Sequence, residues 1–308
     1  MTFSHVSVLL KETLEVLNVK PGGVYFDGTL GGGGHSAEIA ARLEGKGLLL
    51  ASDLDPAALK AAGERLAAYP VEKRFFRSNF KNFSALIAEA GVEKVNGVLL
   101  DLGVSSHQLD EKSRGFSYQA DAPLDMRMSD EGMTAADVVN TYDEADLRRI
   151  LFEYGEENNS RAIARKIVEQ RNVKPFETTL ELVDTIKAAF GGRYTDKNPA
   201  RRTFQALRIE VNGELAGLSD ALRDMADALA PGGVLAVITF HSLEDRLVKQ
   251  TFKGMIDGCT CPKDFPVCTC GFEQKVDLAF RKPVVAGKEE LENNPRARSA
   301  KLRAIIKR

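Results

Sequence analysis

Asp27-Gly-Thr-Leu-Gly-Gly-Gly-Gly-His-Ser36, followed seventeen residues later by Asp53, decides the fold of this chain. The residues leading into the glycines, Val24-Tyr-Phe-Asp27, are apolar and β-prone and follow the Pro21-Gly22-Gly23 turn, which predicts a buried strand. From Ser36 to Leu43, apolar residues recur at helical spacing. Strand, glycine turn and helix together form a unit that cradles a nucleotide. Glycines let the backbone approach a ligand closely, and the helix N-terminus offers N–H groups. Leu48-Leu-Leu-Ala-Ser52 reads as a second strand that delivers Asp53 at its end, where a carboxylate can accept both ribose hydroxyls. This is the first βαβ unit of a Rossmann-like domain.

The chain has 308 residues and is 44% hydrophobic, enough to bury a full core and to hold two domains. Its net charge of −2 provides no general attraction for nucleic acid, so any such contact must rest on local patches. No stretch is long and apolar enough to span a bilayer, and the N-terminus lacks a signal-peptide pattern. The four cysteines all fall within 259–270, which is not the layout of a secreted disulfide scaffold. A cytoplasmic location is expected.

The α/β rhythm continues to about residue 103. A helix is predicted over 55–68, with Pro56 in its first turn, then a strand at Arg74-Phe-Phe-Arg77 and a helix over 81–90. Val95 to Leu100 makes a fourth strand, ending in Asp101-Leu102-Gly103. The next convincing strand is Val234 to Thr239, introduced by Pro231-Gly232-Gly233 and preceded by an amphipathic crossover helix over 214–230. A parallel crossover needs only a few tens of residues, so the remainder, 110–212, is an inserted helical domain between 1–109 and 213–308. Helical patterns run over 144–154, 160–171 and 179–190. After a helix over 242–256 and the cysteine loop, 275–286 and 298–306 supply closing strands. The fold class is α/β: a Rossmann-like, seven-stranded class I methyltransferase core with an inserted helical domain. A glycine turn with an acid at the second strand end serves NAD and S-adenosylmethionine alike, so the architecture by itself favours the methyl donor only modestly.

Several blocks narrow the choice. They are His5-Val-Ser-Val-Leu-Leu-Lys-Glu12, Asp27 to Ser36, Asp101-Leu-Gly-Val-Ser-Ser-His-Gln-Leu-Asp110, Arg114-Gly-Phe116 and Pro123-Leu-Asp-Met-Arg-Met128. Asn198 to Ile209, Phe240-His-Ser-Leu-Glu-Asp-Arg246 and Asn294-Pro-Arg-Ala-Arg-Ser299 complete the set. In this order the chain resembles the bacterial 16S ribosomal RNA cytosine-N4 methyltransferase family over nearly its whole length. The resemblance implies methyl transfer from S-adenosylmethionine to the exocyclic amine of one cytosine in the ribosomal decoding centre. It also implies 16S rRNA as partner, within the small ribosomal subunit. By the same resemblance Gly33, Gly34 and His35 hold the methionine and ribose part of the donor, Asp53 takes the ribose hydroxyls, and Phe80 lies against the adenine. Asp101 and Gln108 complete the pocket. Asp53 and Asp101 also fall at strand carboxyl ends without any appeal to the family; Phe80 and Gln108 rest on the resemblance alone.

Each residue also has a plainer reading. Asp53 can cap the helix that begins near Pro56, Asp101 can begin a turn before Gly103, and His35 can act through its backbone as well as its ring. Ser242 with Asp245 reads as a cap of the next helix, and His241 reads equally as a substrate contact and as packing. Cys259, Cys261, Cys268 and Cys270 form two tight pairs that suit a structural zinc, or else free or redox-active thiols; the C-x-C spacing is one residue shorter than the usual zinc pair. Arg201 and Arg202, with Lys197 and Arg208 nearby, are expected to contact RNA phosphates, and the basic tail (Arg296, Arg298, Lys301, Arg303, Lys307, Arg308) stays open. Many amino-methylating enzymes carry Asp/Asn-Pro-Pro-aromatic after the fourth strand. This chain has Asp101-Leu-Gly-Val-Ser-Ser106 there, and no residue is assigned as catalytic base. Two other functional classes fit the glycine turn less well: a nicotinamide-dependent oxidoreductase and a non-catalytic RNA-binding assembly factor.

Overall fold

Strands that are apolar on both faces must be covered on both faces, and this chain supplies helices for each side. The structure is a computed structural model that describes residues 7–105, 108, 111–191, 198–259, 261 and 269–308. In chain order it contains α1 (Leu10–Leu17), β1 (Val24–Asp27), α2 (Gly34–Arg42), β2 (Leu48–Asp53), α3 (Pro56–Leu66), β3 (Glu72–Arg77), α4 (Phe83–Glu89) and β4 (Val95–Asp101). Then come α5 (Ala135–Thr141), α6 (Glu144–Glu153), α7 (Ser160–Arg171), α8 (Thr179–Ala189) and α9 (Ala200–Asn212). The chain closes with α10 (Leu218–Ala228), β5 (Leu229–Thr239), α11 (Ser242–Ile256), β6 (Val276–Leu278), α12 (Lys288–Asn293) and β7 (Lys301–Lys307).

Among the described residues, the strands form one seven-stranded sheet in the order β3-β2-β1-β4-β5-β7-β6. β1 to β5 pair in parallel, while β7 runs antiparallel to both β5 and β6. Five parallel strands closed by a further pair are the seven-stranded outline the sequence predicts, and the reversed β7 separates it from a six-stranded dehydrogenase sheet. Side chains alternate between two cores. Tyr25, Leu49, Ala51, Leu99 and Ala236 face one, and Phe26, Leu50, Val98, Leu100 and Leu235 face the other. β5 begins earlier than its sequence pattern suggests. It takes in Pro231-Gly232-Gly233 as a register shift opposite Val95 and Gly97, with Gly232 at a φ of +76°.

The chain divides into two compact units, Met1–Gly103 with Ala216–Arg308, and Val104–Leu215. The second unit is helical and has its own core, in which Ile150, Ile163, Leu182 and Leu207 are fully buried. Reciprocal caps start two of its helices, Thr134 with Asp137 for α5 and Thr178 with Glu181 for α8. The predicted helices at 144–154, 160–171 and 179–190 form within a residue of their expected ends. α5 and α9 are additional to the sequence reading.

In the first unit the C-terminal basic residues are drawn into ion pairs. Lys301 Nζ and Arg303 Nε reach the Asp245 carboxylate at 2.9 and 2.7 Å, Lys307 Nζ lies 3.8 Å from Asp227, and Arg308 meets Asp277 at 2.7 Å. These cations line or follow β7 and serve the sheet.

One packing detail has a measurable consequence. Tyr25 is 2% exposed, and its ring occupies the space above Gly97, where an added Cβ would lie 2.7 Å from Cδ1. The ring is held there because its hydroxyl accepts the Lys20 amide at 2.9 Å. Gly97→Ala is therefore expected to cost about 1–3 kcal/mol of stability by overpacking, read from the urea midpoint. In a Tyr25→Val background the added loss should largely disappear, and an equal loss in both backgrounds would refute this account.

Candidate functional site

The sheet order reverses between β1 and β4, and open α/β sheets bind ligands outside the strand carboxyl ends at such a point. There Asp27 ends β1, 1% exposed. Its Oδ2 accepts the Ser36 hydroxyl at 2.7 Å and its Oδ1 accepts the Thr29 amide at 3.1 Å. Thr29 Oγ1 in turn accepts the Asp101 amide at 2.6 Å. One carboxylate thus ties the end of β1 to the first turn of α2, and through Thr29 to the end of β4.

The glycines between them are demanded by space and by backbone. A Cβ on Gly28 would lie 2.4 Å from Leu100 Cδ2 and 2.8 Å from Phe80 Cβ. Gly33 caps α2 at a φ of +73°, and no side chain bonds to the cap. An α-helix leaves its first-turn amides without intrahelical acceptors, which makes the start of α2 a place suited to an anionic group.

Asp53 ends β2. Its Oδ2 accepts the Gly31 amide at 2.7 Å and its Oδ1 the Asp55 amide at 2.9 Å. The cap of α3 is Asp55, which accepts the Ala57 amide at 2.9 Å, so the capping role open to Asp53 belongs to its neighbour. Burial pushes the Asp53 carboxyl up, against the pull of the Asp55 and Gly31 amides. Phe80 opens a short 3₁₀ turn after β3 and is half-buried against Gly28, with Lys81 Nζ 5.9 Å from its ring centroid.

His35 sits in the first turn of α2, buried. Its Nε2 lies 3.0 Å from the Val8 carbonyl oxygen, which can only accept, so Nε2 carries the proton. Its Nδ1 lies 3.6 Å from Asp101 Oδ2. Asp101 Oδ1 is buried with no hydrogen-bond partner among the described residues. Burial, and then the charges of Asp27 and Glu244, push the Asp101 carboxyl up to about 8. Burial pushes Asp27 up to about 6, with the Ser36 and Thr29 bonds opposing. The edge therefore presents a helix N-terminus, an acid suited to a pair of hydroxyls, an aromatic face, and an acid that a cationic ligand would help to ionise.

Gln108 belongs to the helical unit, where it is buried as a loop clamp. Its Oε1 accepts the Ser105 amide at 2.9 Å, and its Nε2 donates to the Met128 carbonyl at 3.4 Å. Arg201 and Arg202 are exposed in the first turn of α9. Arg208 is engaged otherwise: it forms a two-pronged pair with Glu214 at 2.7 and 2.8 Å. Lys197 lies outside the described residues.

At the start of α11 the structure corrects the sequence reading. The cap is His241, paired reciprocally with Glu244, where Ser242 and Asp245 were expected. The box sits one residue earlier because Asp245 is taken by Lys301 and Arg303. The sulfurs of Cys259, Cys261 and Cys270 lie within 4.8 Å of one another, and Cys268 lies outside the described residues.

The sequence reading passed over the residues that hold the site in place. Asp27, Thr29 and Ser36 all lie inside the quoted motif, where a strand-end acid with two nearby hydroxyls was the available signal. Ser7 and Val8 have no such signal. The Ser7 hydroxyl would lie 2.0 Å from a Cβ on Gly34, a contact that only the folded chain creates.

The raised carboxyls set a pH dependence. The folded chain holds the Asp101 and Asp27 protons more tightly than the unfolded chain. Their contribution to stability is thus complete below the ordinary value of 3.8 and is lost as pH rises through about 6 and about 8. The ligand-free unfolding midpoint is expected to fall between about pH 4 and about pH 8, and Asp101→Asn to flatten the upper part of that fall. Identical slopes in the two proteins would contradict the assignment.

The sequence pattern of the MraW methylase family matches residues 2–308. Ribosomal RNA small subunit methyltransferase H of Heliobacterium modesticaldum is 54% identical over 311 residues, which cover 100% of this chain and 99% of that protein. Its namesake in Clostridioides difficile is 52% identical over 310 residues, covering 100% of both chains. That of Brevibacillus brevis is 50% identical over 310 residues, covering 100% of this chain and 99% of its own. With a methyltransferase sheet, an acid-flanked glycine turn at its switch point and a family pattern that runs the length of the sequence, this chain belongs to the MraW methylase family.

Proposed function

We propose that the chain transfers the methyl group of S-adenosylmethionine to N4 of one cytosine of 16S rRNA in the small ribosomal subunit, cytosine 1402 in the usual numbering. The observation that carries this reading is the acid-flanked glycine turn, in a chain whose relatives bear the name ribosomal RNA small subunit methyltransferase H. Gly33, Gly34 and His35 receive the donor's methionine end and ribose, while the Gly33 amide keeps its bond to the Leu30 carbonyl at 2.8 Å. Asp53 accepts the ribose hydroxyls, replacing its bonds to Gly31 and Asp55, and Phe80 lies along the adenine. Asp101, whose Oδ1 has no hydrogen-bond partner among the described residues, faces the cationic end of the donor.

The reaction is an in-line displacement, so its first requirement is positioning. The N4 lone pair forms the new bond to the methyl carbon as the carbon–sulfur bond breaks. Sulfur keeps that electron pair and leaves as a thioether, and N4 gives up a proton. The cytosine amine is a weak nucleophile because its lone pair is delocalised into the ring, so an acceptor at an N4 proton favours attack. The target base leaves its stack to reach such a pocket, and the helical unit is the natural surface for the surrounding RNA. Arg201 and Arg202, exposed on α9, suit phosphate contacts that position the RNA without reading its sequence.

Incubation with labelled S-adenosylmethionine and small subunits from cells lacking this gene is expected to place one methyl on N4 of that cytosine. Absence of transfer, with donor binding measured and the subunits verified as unmodified, would refute the reading. Asp53→Ala should weaken donor binding by roughly 10- to 100-fold in calorimetry, since it removes charge-assisted bonds to the ribose. Unchanged affinity would remove Asp53 from the site. The pair Arg201→Glu and Arg202→Glu should lower kcat/KM for the subunit at least about tenfold and leave donor affinity intact; a change in donor affinity alone would count against an RNA role.

A further inference from the structure

Between α11 and β6 the chain runs from 257 to 275, and none of the described residues in this connection is buried. The described residues of this long connection have neither regular structure nor a core, so they need some other organising force. Its two ends are nonetheless held together. A Cβ on Gly258 would lie 2.4 Å from Phe272 Cε2, so the residue before the first cysteine packs on the ring two residues after the last. Gly271, between Cys270 and that ring, turns the chain at a φ of +68°.

Inside this closed neck the cysteines converge. Cys259, Cys261 and Cys270 place their sulfurs within 4.8 Å of one another, and the Cys270 and Cys259 sulfurs are 3.6 Å apart. The Thr269 amide donates to Cys261 Sγ at 3.2 Å, the kind of N–H···S contact that supports a thiolate. A disulfide would bring two sulfurs to about 2.05 Å. Two sulfurs bound to one tetrahedral zinc through bonds of about 2.3 Å sit about 3.8 Å apart. The 3.6 Å separation matches the edge of a metal tetrahedron and is far too long for a disulfide.

We propose that Cys259, Cys261 and Cys270 are ligands of a structural zinc ion that clamps the α11–β6 connection. A set of soft thiolates selects zinc over the hard cations that prefer carboxylates. Cys268 lies outside the described residues, and the three described sulfurs supply three of the four positions of a tetrahedral ion. The ion would fix the path into β6, an edge strand that pairs with β7 through Val276–Leu278. Its place is in the fold, since methyl transfer from a sulfonium has no step that calls for a metal.

The test uses the full chain, purified under reducing conditions without chelator. Elemental analysis is expected to find about one zinc per chain, and the double variant Cys259→Ser/Cys270→Ser to lose it. Cobalt added to chelator-stripped protein should give the visible bands of a tetrahedral ion and a sulfur-to-cobalt charge-transfer band in the near ultraviolet. These cobalt measurements need only the unaltered chain, so they remain decisive if the double variant fails to fold. Absence of both zinc and the cobalt bands, equal zinc in a folded double variant, or a disulfide among these cysteines in freshly purified protein would overturn the proposal. None of these readouts depends on donor binding or on methyl transfer.

Discussion

The site rests on one buried carboxylate. Asp27 accepts a hydroxyl from α2 and an amide from the glycine turn, and the Thr29 hydroxyl passes the connection to the Asp101 backbone on β4. Three pieces of chain that are distant in sequence are thereby held at one edge of the sheet. The arrangement is costly, since burial makes an ionised carboxylate unfavourable and Asp101 adds a second acid beside it. A protein concerned only with stability would gain by replacing them. Acids kept in such surroundings are a feature shared with binding and catalytic sites, which is why this edge is the candidate site.

The fold brings this edge together by simple alternation. Each buried strand sends one set of side chains into either core, and every parallel strand ends at the same side of the sheet. Asp27, Asp53 and Asp101 are therefore neighbours because β1, β2 and β4 are, although they come from three separate motifs. Gly28 allows the close fit, since Leu100 and Phe80 fill the space its side chain would need. The helical unit carries a separate core and its own caps, as expected of an insertion that packs independently.

Much of this was legible beforehand. Runs such as Leu48 to Ser52 and Val95 to Leu100 are apolar throughout because both their faces are covered, and continuous runs of that length stand out. α6, α7 and α8 declared themselves by period. α5 did not, being short, and α9 hid its apolar face among arginines and polar residues. The cap of α11 was misplaced by one residue because Ser–Asp is the commoner local pattern. Nothing local could reveal that Asp245 is spent on Lys301 and Arg303. The basic tail was ambiguous for the same reason: a run of cations has one sequence signature whether it faces solvent or pairs within a sheet.

The amino-acid sequence by itself determined the order of elements, the glycine turn, the acids at the strand ends and the presence of a helical insertion. These follow from local chemistry: hydrophobic period, turn residues and spacing along the chain. Tertiary structure alone decided which polar atoms find partners. It paired Thr29 with Asp101, Leu9 with Glu290 and Arg303 with Asp245, left one Asp101 oxygen without a partner among the described residues, and gathered three cysteine sulfurs behind a glycine–phenylalanine contact. The physical reason is range. Burial preferences are carried by each residue and can be read one at a time, whereas a hydrogen bond or an ion pair depends on distance and direction between groups that only the closed sheet brings together.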